Sequence, residues 1–155
     1  MFEKVLVPLD GSEHSERALE TAIQIAKKFR SKTTLLHVYS VTAPPVIAPG
    51  PTTLTPAGYP VVTPEEVAEM VETARTVGNR ILKDGEQKAK SANVRVETVL
   101  REGNTVQEIV SLAKEGEFNL IIMGARGMSR IRELLMGSVS EGVIKNAHCP
   151  VMVVK

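Results

Sequence analysis

Three glycines, Gly124, Gly127 and Gly137, punctuate the stretch after the apolar run NLIIM at 119–123, and Ser138, Val139 and Ser140 follow the last of them. Glycine lacks a Cβ, so a backbone built from it turns sharply and brings N–H groups against a bound anion. Gly137 opens a helical pattern whose free amides and dipole favour phosphate. The hydroxyls of Ser138 and Ser140 add donors on two sides of that helix start, and Arg126 and Arg130 make the neighbourhood positive. Together they predict a phosphate cradle. A plainer reading stands beside it: Ser138-x-x-Glu141 is also the pattern of a capping box, and Gly124 could be no more than a tight turn.

Other nucleotide motifs are absent. The chain has no Gly-Lys pair, so no P-loop, and no Gly-x-Gly-x-x-Gly fingerprint. The first apolar run ends in Pro8, Leu9 and Asp10, followed by Gly11 and Ser12. Asp10 could cap the helix that follows, accept from a ribose hydroxyl, or coordinate a metal carried on phosphates. Val38, at the end of the second run, could offer its backbone N–H and C=O to an adenine edge, its side chain otherwise being core. His14, His37 and His148 share no ligand spacing with Cys149 or with carboxylates, so no zinc site is expected. His37 reads as a core or strand-end histidine. Cys149, before Pro150, reads as a small buried residue without an identifiable base.

These groups need a scaffold, and the hydrophobic pattern supplies one. Strands are predicted at 3–8, 33–39, 93–100, 119–123 and 151–154. Between them lie helices. The first carries Leu19, Ala22, Ile23, Ala26 and Phe29 on one face. The second starts at Thr63-Pro64-Glu65-Glu66, with a Thr cap, Pro at the first position and a Glu closing the box, and runs to about Ser91. It bears Val67, Met70, Val71, Ala74, Ile81 and Leu82, and the charges at 83–90 read as its solvated face. A third is capped by Asn104 with Gln107 three residues on and reaches about Lys114; a fourth runs from near Ser138 to before Pro150. Alternating strand and helix predicts one α/β domain over 1–155, a parallel sheet with helices on both faces. Ligands of such sheets sit beyond the carboxyl ends of the strands, where Asp10, Val38, Met123 and the glycines fall. Residues 40–62 hold six prolines and two glycines and read as a long irregular insertion.

Composition narrows the partners. Nineteen basic against eighteen acidic residues leave +1, without the excess that nucleic acid or anionic membrane demands. Aromatics are 3% with no Trp, too few for base-stacking platforms. No apolar run approaches the roughly 20 residues of a membrane span. One cysteine and an opening without signal-peptide features predict a cytoplasmic protein. The segment IIMGARGMSRIREL resembles the Gly-x-x-Gly loop of KH-type RNA-binding domains, but that loop joins two helices, and here it follows a strand.

Gly124-x2-Gly127-x9-Gly137-Ser138-Val139-Ser140, with the opening VLVPLDGSEHSERAL at 5–19 and the ending CPVMVVK at 149–155, resembles the nucleotide-binding branch of the universal stress protein family along the whole chain. The resemblance implies a Rossmann-like, adenine nucleotide alpha hydrolase-like sheet of order 3-2-1-4-5, an ATP site and a homodimer. By that likeness Asp10 lies beside adenine and ribose and Val38 meets adenine through its backbone. Gly124, Gly127, Gly137, Ser138, Val139 and Ser140 surround ribose and phosphates, and Pro8, Leu9, Met123 and Arg126 complete the expected site. Mg2+ or Mn2+ is expected with the ATP, held mainly by phosphates. The expected activity is a nucleotide-dependent regulatory switch; a slow ATPase is the alternative, since no residue is suited to position attacking water. The dimer is expected through 151–154, an apolar strand with no helix after it and hence a sheet edge.

Overall fold

The structure, a computed structural model, describes residues 2–41, 62–128 and 136–155. The insertion expected at 40–62 and the side chain of Arg130 lie wholly or largely outside them. The elements are β1 (Lys4–Pro8), α1 (Glu13–Phe29), β2 (Lys32–Tyr39), α2 (Pro64–Ser91), β3 (Val96–Glu102), α3 (Thr105–Glu115), β4 (Leu120–Gly124), α4 (Ser138–Asn146) and β5 (Val151–Val154). All strands are parallel, in the order β3-β2-β1-β4-β5. β1 and β4 are covered on both faces, which is why their sequences read as unbroken apolar runs.

Each face of the sheet has its own core. Val5, Val7, Leu35 and Ile122 pack with Leu19, Ala22 and Ile23 of α1 and Leu82 and Ala89 of α2. Leu6, Leu36, Ile121 and Met123 pack with Ile109 and Ala113 of α3 and Val143 of α4. Period-two alternation along the strands sends neighbouring residues to opposite cores. The helices begin where their caps stand: Ser12 for α1, Thr63 with the reciprocal Glu66 bond for α2, Asn104 for α3.

Several boundaries differ from the sequence reading. β3 starts at Val96 rather than at 93, because Asn93 takes a left-handed conformation (φ 59°) and Val94 N–H still bonds back to Ala89 O. The first residues of that alternating run reverse the chain before it extends. Phe29 does not join the buried face of α1; it is 48% exposed and meets Phe2 edge to face at the end of the helix. Met70 is also 48% exposed, and the buried residues of α2 begin only at Gly78. Gly78 already stands against His37 and Leu100, near the carboxyl ends of β2 and β3. The earlier turns therefore run past the sheet, where their apolar stripe has no strand beneath it among the described residues.

Candidate functional site

The chain leaves β1 toward β2 on one side and returns through β4 on the other, so the order reverses between β1 and β4. Loops diverge at such a point and leave a crevice. A cleft of about 310 Å3 opens there, and Pro8, Leu9, Asp10, Val38, Met123, Gly124, Arg126, Gly127, Gly137, Ser138, Val139 and Ser140 all line it. These expected site residues thus reach one cavity; Arg130, also expected near the cradle, lies outside the described residues.

The β1–α1 turn sets the first wall. Gly11 has φ 81°, a conformation open to glycine at little cost. This turns Ser12 to the head of α1, where its hydroxyl accepts from Ser15 N–H at 3.2 Å and reaches the Arg126 carbonyl at 3.4 Å. Ser12 is therefore the cap of α1, and Asp10 is not. Instead Asp10 Oδ1 accepts the Ser12 N–H at 3.0 Å, and its other oxygen faces the β4–α4 loop.

That loop needs its glycines for closeness. Among the described glycines only Gly11 and Gly103 have positive φ, so Gly124, Gly127 and Gly137 do not serve a left-handed turn. A Cβ on Gly124 would lie 2.7–2.9 Å from His14 and the Ser15 nitrogen, and one on Gly127 would lie 2.5 Å from Asp10 Oδ2. Side chains there would wedge the cleft's two walls apart.

The head of α4 completes the cradle. Its N-cap is Gly137, which makes no side-chain cap, whereas α1, α2 and α3 each have one. Ser138 is the first residue inside the helix and is exposed, so the capping-box reading does not hold. The amides of Ser138 and Val139 have no partner among the described residues. Ser140 behaves differently: it is 2% exposed, and its hydroxyl lies 2.9 Å from Ala125 O and 2.8 Å from Gly137 O. It ties the end of β4 to the head of α4 and is not a spare donor.

The cleft also holds Ser15, Leu36, Thr105, Ile109 and Met128, which the sequence reading passed over. Thr105 opens α3 straight after β3, the same strand-to-helix position that singles out Asp10, while in the sequence its neighbour Asn104 signals only a cap. Leu36, Val38, Ile109 and Met123 make part of the lining apolar, and the first turns of α1, α3 and α4 add Ser15, Thr105 and Ser138. Asp10 and Arg126 are the charged residues among the described residues of the lining. Among the described residues no three His, Cys, Asp or Glu side chains gather as metal ligands. Burial pushes the Cys149 thiol up from its usual value, which disfavours the nucleophilic thiolate.

Comparison with known proteins agrees with this architecture. The chain is 34% identical over 155 residues to universal stress protein YxiE of Bacillus subtilis, with 100% of both chains covered. Universal stress protein UspA from Lactobacillus plantarum superposes with a TM-score of 0.81 at 23% identity, covering 99% of this chain and 98% of that one. A universal stress protein solved in complex with cAMP gives 0.67 at 27% identity, covering 99% and 97%. The profile of the universal stress protein family matches residues 1–155, and the chain belongs to that family.

Proposed function

We propose that the chain, as one domain, binds an adenine nucleotide in this cleft, ATP foremost, and serves as a nucleotide-dependent regulatory module in stress response. The observation that carries this reading is the head of α4, left without a side-chain cap where it meets the cleft beside Gly127 and Asp10. Free amides at a helix start are donors for phosphate, and the dipole adds to their pull. The apolar part of the lining, with Leu36, Val38, Ile109 and Met123, suits a planar base. Val38 offers backbone groups to its edge, and Asp10 offers a carboxylate to ribose. The relative solved with cAMP supports the adenine class.

A divalent ion, Mg2+ or Mn2+, would ride mainly on the phosphates, because Asp10 is the one carboxylate among the described residues of the lining. Bound there, it would neutralise phosphate charge. The chain's own part is to hold the phosphates on the amides of α4 and Gly127 while Arg126 supplies positive charge. Hydrolysis through this lining would be slow, since Asp10 is the one carboxylate among its described residues and no second group stands beside it to position attacking water.

A homodimer joined through β5 belongs to the same reading, as does the cytoplasm. Among the described residues β5 pairs with β4 alone, and all four of its residues are half-buried. A single cysteine fits a reducing compartment, and no helix among the described residues is long and apolar enough to cross a membrane.

The test is to denature the purified protein and identify any released nucleotide by mass spectrometry, then titrate the emptied protein with AMP and ATP by calorimetry. An adenine nucleotide released, or heat of binding from either titrant, is expected. No release and no heat at millimolar titrant would overturn the reading.

A further inference from the structure

His37 lies outside the cleft, on the α2 side of β2, yet it grips a residue that lines it. Its Nδ1 is 2.7 Å from the Leu9 carbonyl. A carbonyl only accepts, so the ring carries its proton on Nδ1. The ring cannot drift: Gly78 of α2 is so close that a Cβ there would lie 2.6 Å from His37 Cδ2 and 2.7 Å from Leu100. Leu9 is fixed at its other end as well, its N–H donating to Leu36 O at 2.8 Å, and the residue is buried.

One peptide plane is thereby locked. No cis peptide occurs among the described residues, and in a trans peptide the carbonyl and the following N–H point in opposite directions. With the Leu9 carbonyl turned toward His37 and α2, the Asp10 N–H is turned away from them, to the side where Gly124 and Gly127 stand across the cleft. The Asp10 N–H has no partner among the described residues. We propose that His37 is a positioning residue for the ligand: by holding the Leu9 carbonyl it presents the Asp10 backbone N–H as a donor to the bound nucleotide. This rests on the nucleotide reading above and adds to it a role for a residue beyond the lining.

The geometry explains two features otherwise unconnected. Asp10 contributes a backbone donor beside its carboxylate, so both an acceptor and a donor face one ligand from a single residue. Gly78 is then needed because only a bare Cα lets α2 pack over the ring that holds this peptide. A flipped Leu9–Asp10 peptide would bury the donor and turn a carbonyl oxygen toward the ligand, exchanging attraction for repulsion.

The test follows the Asp10 amide by 15N-resolved NMR while AMP is titrated into the emptied full-length protein, alongside His37→Asn and His37→Leu. Asn keeps an N–H near the Nδ1 position, and Leu removes it while keeping bulk. In the unaltered protein the Asp10 amide signal should move on titration and exchange at least tenfold more slowly in the complex. His37→Asn should bind AMP within about threefold of the unaltered protein, and His37→Leu about tenfold or more weakly, at matched folded fraction by circular dichroism. AMP binding that leaves the Asp10 amide unmoved overturns the proposal, even if neither variant folds. So does equal affinity in the Leu variant. Absence of any AMP or ATP binding by the unaltered protein counts instead against the nucleotide reading on which the proposal stands.

Discussion

The Cα of Gly127 faces the carboxylate of Asp10 so closely that a Cβ on Gly127 would lie 2.5 Å from Oδ2. The two residues come from different strands' ends, and their contact closes the cleft across the switch point. Oδ1 is held by the Ser12 N–H, so the carboxylate cannot swing aside without breaking that bond.

Gly127→Val should therefore displace Asp10 and block the approach of phosphate to the loop backbone. Affinity for AMP or ATP should fall at least about tenfold, equivalent to about 1.4 kcal/mol. Stability should fall only modestly, by about 0.5–1.5 kcal/mol, the net worth of the Ser12–Asp10 hydrogen bond that the displaced carboxylate gives up, since Gly127 is otherwise exposed and its φ is not positive. Calorimetry and urea denaturation read the two quantities separately. Unchanged affinity would remove Gly127 from the site.

Ser138 and Ser140 should part company. Ser138 is exposed at the uncapped head of α4, so Ser138→Ala should weaken nucleotide binding by about 1.5–3 kcal/mol, some ten- to 150-fold, as one charge-assisted hydrogen bond is lost. Stability should barely change. The Ser140 hydroxyl is buried between Ala125 O and Gly137 O, so Ser140→Ala should cost about 1–3 kcal/mol of stability by leaving a buried acceptor short of its donor. Denaturant midpoints paired with titrations separate the two. Equal effects of both variants on stability would refute the division.

How far the sequence foretold this site is clearest at particular residues. Asp10, Val38 and the three glycines could be named because a parallel sheet gathers its ligand loops at the carboxyl ends of its strands, and those ends were readable from apolar runs. The purpose of the glycines was not readable. Sequence suggests conformational freedom, whereas Gly124 and Gly127 are required by what lies opposite them, His14 and Asp10, over a hundred positions away. Ser140 misled for the same reason: a hydroxyl near a helix start looks like a donor until two carbonyls are found beside it. Phe29 and Met70 fit the periodicity of their helices, but periodicity cannot tell where a helix outruns the sheet it covers.

Turnover should be slow. Efficient phosphoryl transfer needs a group that positions the attacking water as well as charge stabilisation. Asp10 is the one carboxylate among the described residues of the lining, and its Oδ1 is engaged by Ser12. Steady-state phosphate release should stay below about one per second, under the usual enzymatic range near ~10 per second. A faster rate in protein freed of contaminating ATPase, lost in Asp10→Asn, would show that Asp10 acts as a base.

The dimer prediction can now be given a phase. Ile121 N–H donates to Pro150 O at 3.0 Å and Ala125 N–H to Val154 O at 2.7 Å, with Ile122 opposite Met152 in the register. In a strand the N–H and C=O of one residue point to the same side and alternate along the chain. The residues facing β4 are thus Pro150, Met152 and Val154, while Val151 and Val153 turn their backbone groups outward, to the open edge. A second copy adding its own β5 antiparallel would pair those outward groups about a two-fold axis. Val153→Pro removes an outward donor and leaves the ladder to β4 intact, as an edge strand tolerates. It should yield a folded monomer by light scattering with an unchanged circular dichroism spectrum. Met152→Pro breaks the inner ladder and should instead lower the melting temperature. Should the Val153→Pro protein remain a dimer at micromolar concentration, or the unaltered protein prove monomeric with and without ATP, β5 is not the contact.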